Sequence, residues 1–442
     1  MRSGRWRSLI LTGLTVATVG AAARAGNWPQ WRGPTGDGVS DETGLPLHWS
    51  ERSHVAWKCP LPGDGASTPV VWKDAVFVTA QKDDSLLLLK IDKGSGKVEW
   101  TRRVGTGTAV RVAVRAKKGN GRSQQKFHPL HNMASPSPVT DGERVIVHFG
   151  NGDLAAYDFA GRRLWGRNLQ QAHGTYTIWW GHANSPVLYK DLVISVCMQD
   201  SLADLGGQRA ASYVVAHDKR TGEEKWKTPR MTDAAAEQCD SYTTPLVYRG
   251  KEGPELVVMG GNQIDGYDPA TGRQLWFLPG IEGGRTITGP TVGPGLVYAT
   301  QGMRGPLLAI RPDKTDKTGK LSADAVVWKV TQGTPDSPCP VVWKDLIFWV
   351  SDNGVAQCRD ARTGALKWEK RLAGDYKASP LAADGRIYFL NLKGLCTVVA
   401  ASRRFKKLAD NQLAADTIAS PVVSDAKILF RGRRALYCVD TR

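Results

Sequence analysis

Side chains that could bind a ligand concentrate in three long loops of the sequence, residues 101–137, 166–185 and 227–244. They combine imidazole, carboxylate and amide groups, which are ligands for metal ions, with indole rings that can stack on a planar quinone or a sugar. The candidate residues are His128, His131, Asn132, Tyr176, Trp179, Trp180, His182, Asn184, Glu237, Asp240 and Tyr242. We expect a ligand-binding face where these loops meet.

The same residues also have a structural interpretation. Long loops fold over themselves with their aromatic side chains inside, and a lone histidine usually satisfies a nearby backbone group. His217 is an example, because it precedes Asp218 where Tyr157 and Tyr267 precede their own turn aspartates. Its position therefore indicates a place within a repeat. Spacing alone assigns no catalytic residue and no set of metal ligands.

The elements that must position the loops follow from an internal repeat. Five segments share an aspartate, a turn that contains glycine, and a tryptophan shortly after it: Asp92–Trp100, Asp158–Trp165, Asp218–Trp226, Asp268–Trp276 and Asp360–Trp368. In such a segment the aspartate accepts backbone hydrogen bonds, glycine supplies a positive φ, and tryptophan packs on a strand edge. Each segment therefore predicts a β-hairpin.

A second landmark is a proline that enters a short apolar strand, and it recurs at positions 69, 138, 186, 245, 290, 340, 380 and 421. Two alternating apolar stretches separate each proline from the next hairpin, so each unit contains four antiparallel strands. Seven units carry a tryptophan in the expected blade-docking position, at Trp57, Trp100, Trp165, Trp226, Trp276, Trp328 and Trp368, and the last unit has Leu408 instead.

The two ends of the repeat region complete one another. The sequence ends at residues 439–442, where another outer strand should begin. Residues 55–63 have the pattern of an outer strand with no unit before it. Eight units across residues 54–442 give about 49 residues each, which fits a four-stranded propeller blade. We predict an all-β fold, an eight-bladed β-propeller of four-stranded antiparallel blades closed by the N-terminal outer strand. A seven-bladed ring with one misread unit is the alternative.

The hairpins resemble those of the pyrroloquinoline-quinone (PQQ)-like repeat family, whose blades carry an Ala-x-Asp-x-x-Thr-Gly-x-x-x-Trp signature. The best matches run from Asp218 through Thr221-Gly222 to Trp226, from Asp268 through Thr271-Gly272 to Trp276, and from Asp360 through Thr363-Gly364 to Trp368. The resemblance covers nearly the whole chain after residue 25. It implies that the tryptophans dock neighbouring blades, and it implies one of two activities: a quinoprotein dehydrogenase that uses PQQ with calcium, or a non-enzymatic scaffold like BamB.

Departures from the family's enzymes decide between these activities. The sequence has no adjacent cysteine pair, and spacing does not single out the Glu, Asn and Asp that would hold calcium. Our first hypothesis is therefore a scaffold that binds a protein or a cell-envelope component. The second is a PQQ- and calcium-dependent oxidoreductase of alcohols or sugars, and only this hypothesis requires those cofactors. A carboxylate-lined pocket with an aromatic floor would favour the enzyme, and a broad exposed patch would favour the scaffold.

Residues 1–25 have the organisation of a secretory signal peptide. Three arginines precede an apolar stretch at residues 9–23, and Ala23 and Ala25 provide the small residues that a signal peptidase recognises. The apolar stretch is shorter than the roughly 20 residues that span a bilayer, although an uncleaved anchor helix is the alternative. We expect an exported, soluble protein in the periplasm or the extracellular space. No lipidation cysteine follows the stretch.

Residues 26–53 precede the repeats and are rich in glycine and proline, with tryptophans at 28, 31 and 49. This composition predicts an N-terminal arm that packs its indoles on the outside or bottom of the ring. Seven cysteines leave at least one unpaired, and none forms a CxxC motif. Cys358 and Cys438 each lie two residues before an aspartate, which indicates buried strand positions.

The chain is basic, with a formal net charge of +17. The densest run of positive charge, residues 111–126, contains no acidic residue. An anionic glycan or surface is one partner for it, and a solvated loop is the simpler interpretation. Export and the lack of interleaved aromatic residues argue against nucleic acid.

Overall fold

A computed structural model describes residues 26–107, 127–199, 211–281, 283–303, 305–313 and 315–441. Eight antiparallel sheets succeed one another along these residues, and the innermost strands of successive sheets lie side by side. The predicted all-β, eight-bladed propeller is confirmed, and the seven-bladed alternative is wrong. The predicted signal peptide and the basic run at 111–126 lie outside the described residues.

In the first seven blades the four blade strands run from the central channel outwards in sequence order, and in the eighth the outermost strand comes from the N-terminal segment. The first four blades consist of β3 (Val70–Trp72), β4 (Ala75–Lys82), β5 (Ser85–Asp92) and β6 (Val98–Thr106); β7 (Val139–Thr140), β8 (Arg144–His148), β9 (Asp153–Asp158) and β10 (Arg163–Asn168); β11 (Val187–Tyr189), β12 (Leu192–Cys197), β13 (Tyr213–Asp218) and β14 (Glu224–Pro229); and β15 (Leu246–Arg249), β16 (Pro254–Gly260), β17 (Gln263–Tyr267) and β18 (Gln274–Pro279).

The remaining blades repeat the pattern, with two short N-terminal strands added to them. Their strands are β19 (Thr291–Gly293), β20 (Leu296–Thr300), β21 (Leu307–Ile310) and β22 (Val326–Val330); β23 (Val341–Trp343), β24 (Leu346–Val350), β25 (Val355–Asp360) and β26 (Leu366–Arg371); β1 (Val39–Ser40), β27 (Leu381–Ala383), β28 (Arg386–Leu390), β29 (Leu395–Ala400) and β30 (Lys407–Gln412); and β31 (Val422–Ser424), β32 (Lys427–Arg431), β33 (Ala435–Val439) and β2 (Val55–Pro60). Helix α1 (Leu169–His173) follows β10, and 3₁₀ turns form at Ala236–Cys239 and Ala323–Ala325.

The ring closes as the sequence predicts. Strand β2 pairs antiparallel with β33, with Trp57 opposite Cys438, so the N-terminal segment supplies the outer strand of the eighth blade. A buried guanidinium also joins the eighth blade to the first, since Arg431 donates from Nη2 to the carbonyl of Thr79 at 2.6 Å. Closure packs the first and eighth blades against each other, so each of the eight sheets has a neighbouring blade on both faces.

Most of the repeated tryptophans dock neighbouring blades through their indole N–H. Trp57 donates to the carbonyl of Lys93 in the next hairpin at 2.8 Å. Its ring packs on Gly96, whose φ is +71° and where a Cβ would lie 2.6 Å from the indole, so this turn requires glycine. Equivalent bonds are made by Trp100, Trp165, Trp328 and Trp368.

Two tryptophans depart from this docking pattern. Trp276 donates instead to Glu255 of its own blade, at 2.6 Å. Nε1 of Trp226 has no hydrogen-bond partner among the described residues, although the Trp226 ring still packs on Gly272 of the next hairpin. At Trp226 the family's ring contact is therefore present without the hydrogen bond.

A belt of hydrogen bonds links the blades around the channel, at the residue that precedes each landmark proline. Successive amides donate to a hydroxyl or thiol of the next blade at 2.9–3.1 Å. The belt residues are Thr68, Ser137, Ser185, Thr244, Gly289, Cys339, Ser379 and Ser420. Gly289 offers no side-chain acceptor, and this interrupts the belt between the fourth and fifth blades.

The N-terminal arm enters the channel, which corrects the prediction that its indoles pack on the outside or bottom of the ring. Trp28 forms a bridge with Val71 of the first blade and is fully buried. Arg32 donates to Thr291 of the fifth blade at 3.0 Å, and β1 pairs in parallel with β27 of the seventh. The segment thus crosses the channel between inner strands.

Further along the arm, Trp49 lies between the last two blades, with its ring centroid 5.3 Å from that of Phe430. All seven cysteines are buried and none of them forms a disulfide, and Cys358 and Cys438 occupy buried strand positions as predicted. The described residues include no helix that is long and apolar enough to cross a membrane.

Candidate functional site

The three long loops leave the ring on one side, together with the turns between second and third strands; we call this side the insertion face. A cavity of about 230 Å³ opens in the channel near this face, and Trp31 of the arm contributes to its lining. The other residues that line the cavity are Ala66, Thr68, His128, Leu130, His131, Ser135, Ser137, Trp180, Ala183, Ser185, Tyr242, Thr244, Arg285, Ile287, Ser337, Lys377, Ser379, Ile418, Ala419 and Ser420. None of them is an aspartate or a glutamate.

Trp31 packs beside the interrupted position of the belt. A Cβ on Gly289 would lie 3.4 Å from the Trp31 ring, which is an ordinary van der Waals contact. Belt residues also line this cavity, and the hydroxyls of Ser137 and Ser185 among them already accept hydrogen bonds from the backbone amides of the preceding blades. The part of the cavity around Trp31 is therefore a preformed, mainly apolar surface.

Two loops meet over the cavity at His131 and Trp180. His131 Nε2 donates to the Trp180 carbonyl at 2.5 Å, and its Nδ1 is 3.1 Å from the Ser135 hydroxyl. Burial lowers the pKa of His131 to about 4, so the imidazole is neutral at physiological pH. Both ring nitrogens are occupied, and His131 consequently fixes the loop rather than offering a free ligand atom. The His128 ring packs edge-on against Trp180 with centroids 5.5 Å apart.

Two cations from other blades complete the cavity wall. Arg285 lies between the fourth and fifth blades, 3.6 Å from Glu237, and Lys377 lies between the sixth and seventh, 2.6 Å from Asp352. Burial, followed by the charges of Lys377 and Arg285, lowers the pKa of His128. The charges of Arg285 and Lys377 are therefore both felt inside the cavity. Each cation is paired with a carboxylate that does not line the cavity.

Other candidate residues lie beneath this surface in a buried aromatic group. The Tyr176 ring stacks on His182 with centroids 5.1 Å apart, and His182 Nε2 is 3.3 Å from His148 Nδ1. Burial lowers the pKa of His182 to about 3 and holds the pKa of His148 well below its usual value. These neutral rings pack together, and none of them reaches the cavity.

The remaining amide and carboxylate candidates hold loops in place. Asp240 accepts the backbone N–H of Trp179 at 2.9 Å, and Asn184 donates to the carbonyl of Ser241 at 3.2 Å. Asn132 caps its own turn by accepting the N–H of Ala134. Each of these three side chains bonds to backbone, as the structural interpretation of the loops expects.

The structure thus brings four candidates together at the cavity: His128, His131, Trp180 and Tyr242. Tyr242 accepts the backbone N–H of Trp180 at 3.3 Å, and burial raises its pKa well above the usual value. Sequence reasoning missed Trp31, Arg285 and Lys377. A glycine at one belt position was the available signal for Trp31. No sequence signal pointed to the two cations, because they lie in connections of ordinary length.

Comparison with known proteins assigns the fold to a family. A family model described as outer membrane protein assembly factor BamB matches residues 47–212, 206–323 and 317–442. The chain belongs to this PQQ-like repeat family. No curated protein sequence matches it significantly.

Solved structures with this fold include both scaffolds and enzymes. BamB from Moraxella catarrhalis is 13% identical, with a TM-score of 0.58 over 88% of this chain and 97% of its own. Quinohemoprotein alcohol dehydrogenase from Comamonas testosteroni is 14% identical, with a TM-score of 0.62 over 94% and 81%. A europium-containing methanol dehydrogenase is 12% identical, with a TM-score of 0.64 over 92% and 89%. At these identities the likeness establishes the fold alone.

Proposed function

We propose that the protein is an exported, non-catalytic binding protein whose insertion face receives an acidic segment of a protein partner. The observation that carries the proposal is the composition of the cavity: aromatic and aliphatic walls, belt hydroxyls, Arg285 and Lys377, and no carboxylate among the described residues that line it. An apolar side chain of the partner fits against Trp31 and Trp180, while its carboxylate lies near the two cations. The likeness to BamB and the signal-like residues 1–25 support export and a protein partner.

The cavity does not fit the calcium ion that the family's quinoprotein enzymes use. Calcium takes six to eight oxygen ligands and favours carboxylates. The described lining residues include no carboxylate, and Glu237 and Asp352 are paired with the two cations of the cavity. Within the described residues, three imidazole, thiol or carboxylate ligands converge only at His173, His217 and Glu224, which are not cavity residues. We therefore assign no step to PQQ or calcium.

A matched pair of peptides tests the proposal. A fluorescent hexapeptide that alternates phenylalanine and glutamate should bind to protein lacking residues 1–25, and its glutamine counterpart should bind much more weakly. Charge-assisted hydrogen bonds contribute about 1.5–3 kcal/mol each, so a double variant with Arg285→Ala and Lys377→Ala should weaken binding by at least tenfold. Binding should also weaken as salt rises, because the cations are partly exposed.

Two controls make the test decisive. A Lys190→Ala and Lys344→Ala double variant removes the same charge from the opposite face and should bind the acidic peptide like the wild type. Equal binding of the two peptides, or unchanged binding by the Arg285 and Lys377 double variant, would refute the proposal. A rise in melting temperature with PQQ that requires calcium would instead support the oxidoreductase.

A further inference from the structure

Three metal-ligating side chains meet at the outer rim of the ring, between the second and third blades; we call them the rim cluster. His217 on β13 lies opposite Glu224 on β14 at a bulge in the third blade. His173 is the last residue of α1, which directly follows the outer strand of the second blade. Residues 40 or more positions apart in sequence are thus brought together by the packing of one blade on the next.

The spacing of the rim cluster approaches that of a metal site. One ligand atom from each residue lies within 4.8 Å of the other two, and Nε2 of His173 is 3.2 Å from Oε2 of Glu224. Zinc holds nitrogen and oxygen ligands at about 2.0–2.2 Å in a tetrahedron, which separates the ligand atoms by about 3.3–3.6 Å. One pair already has this separation. A side-chain shift of about 1–1.5 Å at His217 brings the third atom into range.

Burial of the two imidazoles provides an independent observation. His217 is 3% exposed, and among the residues that the structure describes its Nδ1 has no hydrogen-bond partner. Nε2 of His173 is also buried, and its contact with Glu224 does not have hydrogen-bond geometry. A buried polar atom without a partner costs about 1–3 kcal/mol. A bound cation would satisfy such nitrogens.

The environment orients the ligands and leaves an opening. The His173 ring packs edge-on against Tyr213 with centroids 5.0 Å apart, and this contact restricts its rotation. The Glu224 side chain is 41% exposed, so the cluster is open to solvent on that side. Three protein ligands with one position left for water is the arrangement of many zinc sites.

We propose that His173, His217 and Glu224 bind zinc or a similar divalent transition metal that fastens α1 and the second blade to the third. Two imidazoles and one carboxylate suit zinc, copper or nickel better than calcium, which prefers oxygen ligands alone. The site is separate from the channel cavity and does not depend on the function proposed there.

Lys227 provides a way to distinguish a metal site from a packing cluster. Its Nζ lies 3.3 Å from Nδ1 of His173, where the ammonium donates to the ring. A metal on Nε2 requires Nδ1 to keep its own proton, so Lys227 must move away when the ion binds. The side chain is exposed and free to do so. Lys227→Gln should therefore bind metal more tightly, which a purely structural cluster does not predict.

The test uses untagged protein lacking residues 1–25, dialysed against chelator and titrated with zinc chloride by calorimetry. We expect one equivalent of zinc to bind and to raise the melting temperature, since a ligand of the folded state stabilises it. Glu224→Gln changes only an exposed side chain and should lower zinc affinity on the order of 10- to 100-fold. His173→Gln should abolish the stabilisation, and Lys227→Gln should increase the affinity.

His128→Gln, in the channel, serves as the control and should bind zinc as the wild type does. X-ray absorption of the zinc-loaded protein should show two imidazole ligands per ion. Failure to bind zinc would overturn the proposal. So would wild-type zinc affinity in both Glu224→Gln and His173→Gln, because binding would then take place elsewhere.

Discussion

The channel mouth, where the cavity opens near the insertion face, and the rim cluster both contain histidines. The two regions are nevertheless built for different chemistry. At the channel mouth both nitrogens of His131 already bond to protein groups, and the wall adds two cations but no carboxylate. At the rim, Nε2 of His173 and Nδ1 of His217 have no hydrogen-bond partner in the part of the chain that the structure describes, and Glu224 supplies a negative charge. The ligand atoms left unsatisfied, rather than the number of histidines, distinguish an anion-binding surface from a metal site.

The difference also follows from where each region lies in the ring. The channel is surrounded by all eight inner strands, so loops and the arm meet there and satisfy one another. The rim cluster lies at a single blade interface, between α1 and the hairpin of β13 and β14. Substitutions at the centre should therefore lower the stability of the whole ring. Substitutions at the rim cluster should affect only the binding of its metal ion.

The largest effect is expected from the arm. Trp28→Ala removes a fully buried indole and leaves a cavity in the channel, which should lower the free energy of unfolding by about 3–5 kcal/mol. Urea denaturation followed by circular dichroism measures the loss. Trp179→Ala removes a partly exposed indole and should cost much less. Zinc binding at the rim should survive both changes, and its loss in folded Trp28→Ala would show that the two regions are coupled.

The second effect is a pH dependence that arises at the channel mouth. The pKa of His131 falls from 6.5 to about 4 on folding, so between these values the unfolded chain binds more protons than the folded one. The neutral His131 contributes about 3 kcal/mol to the free energy of unfolding. This contribution is complete above pH 6.5 and is lost as the pH falls towards 4.

Urea unfolding at pH 7 and pH 4.5 tests this linkage. His131→Gln should lose less stability than the wild type between the two pH values. The exposed residue His48 provides the control, and His48→Gln should lose as much as the wild type. Equal losses in all three proteins would assign the acid sensitivity to other groups.

The belt should respond less strongly. The Cys339 thiol accepts the Gly289 N–H at 3.1 Å, in a position where other blades use a hydroxyl. Cys339→Ser keeps an acceptor and should change stability by less than about 1 kcal/mol, whereas Cys339→Val leaves a buried N–H unpaired and should cost about 1–3 kcal/mol. Denaturation midpoints distinguish these outcomes, and equal costs would mean that packing rather than hydrogen bonding matters there.

The fold could be predicted because its signals are local and repeated. Asp92 and Trp100 identify a hairpin by short-range spacing, and Pro69 identifies an inner strand, so eight copies of such landmarks determine the number of blades. The three loops were also located correctly on one side of the ring, because equivalent connections in a propeller emerge at the same end of each blade.

The sites could not be predicted in the same way, because they form between blades. His217 occupies an ordinary position in its strand, and only packing against the second blade brings His173 beside it. Arg285 and Lys377 lie far apart in sequence and line the same cavity from different blade connections. Trp31 packs beside the position where glycine interrupts the belt. The residue spacing within a single unit carries no information about contacts between different blades.

The smallest expected effect is also the sharpest comparison, since it changes one carboxylate at each region. Glu237→Gln removes the partner of Arg285 and should tighten binding of the acidic peptide by up to about fivefold, because partly exposed ion pairs contribute about 0.2–1 kcal/mol. It should leave zinc binding unchanged. Glu224→Gln makes the same chemical change at the rim and should weaken zinc binding without affecting the peptide. Titrating both variants with both ligands gives four affinities. If either substitution both tightened binding of the acidic peptide and weakened binding of zinc, the channel mouth and the rim cluster would not be independent sites, because loss of one negative charge would then act through the whole protein rather than through its local partners.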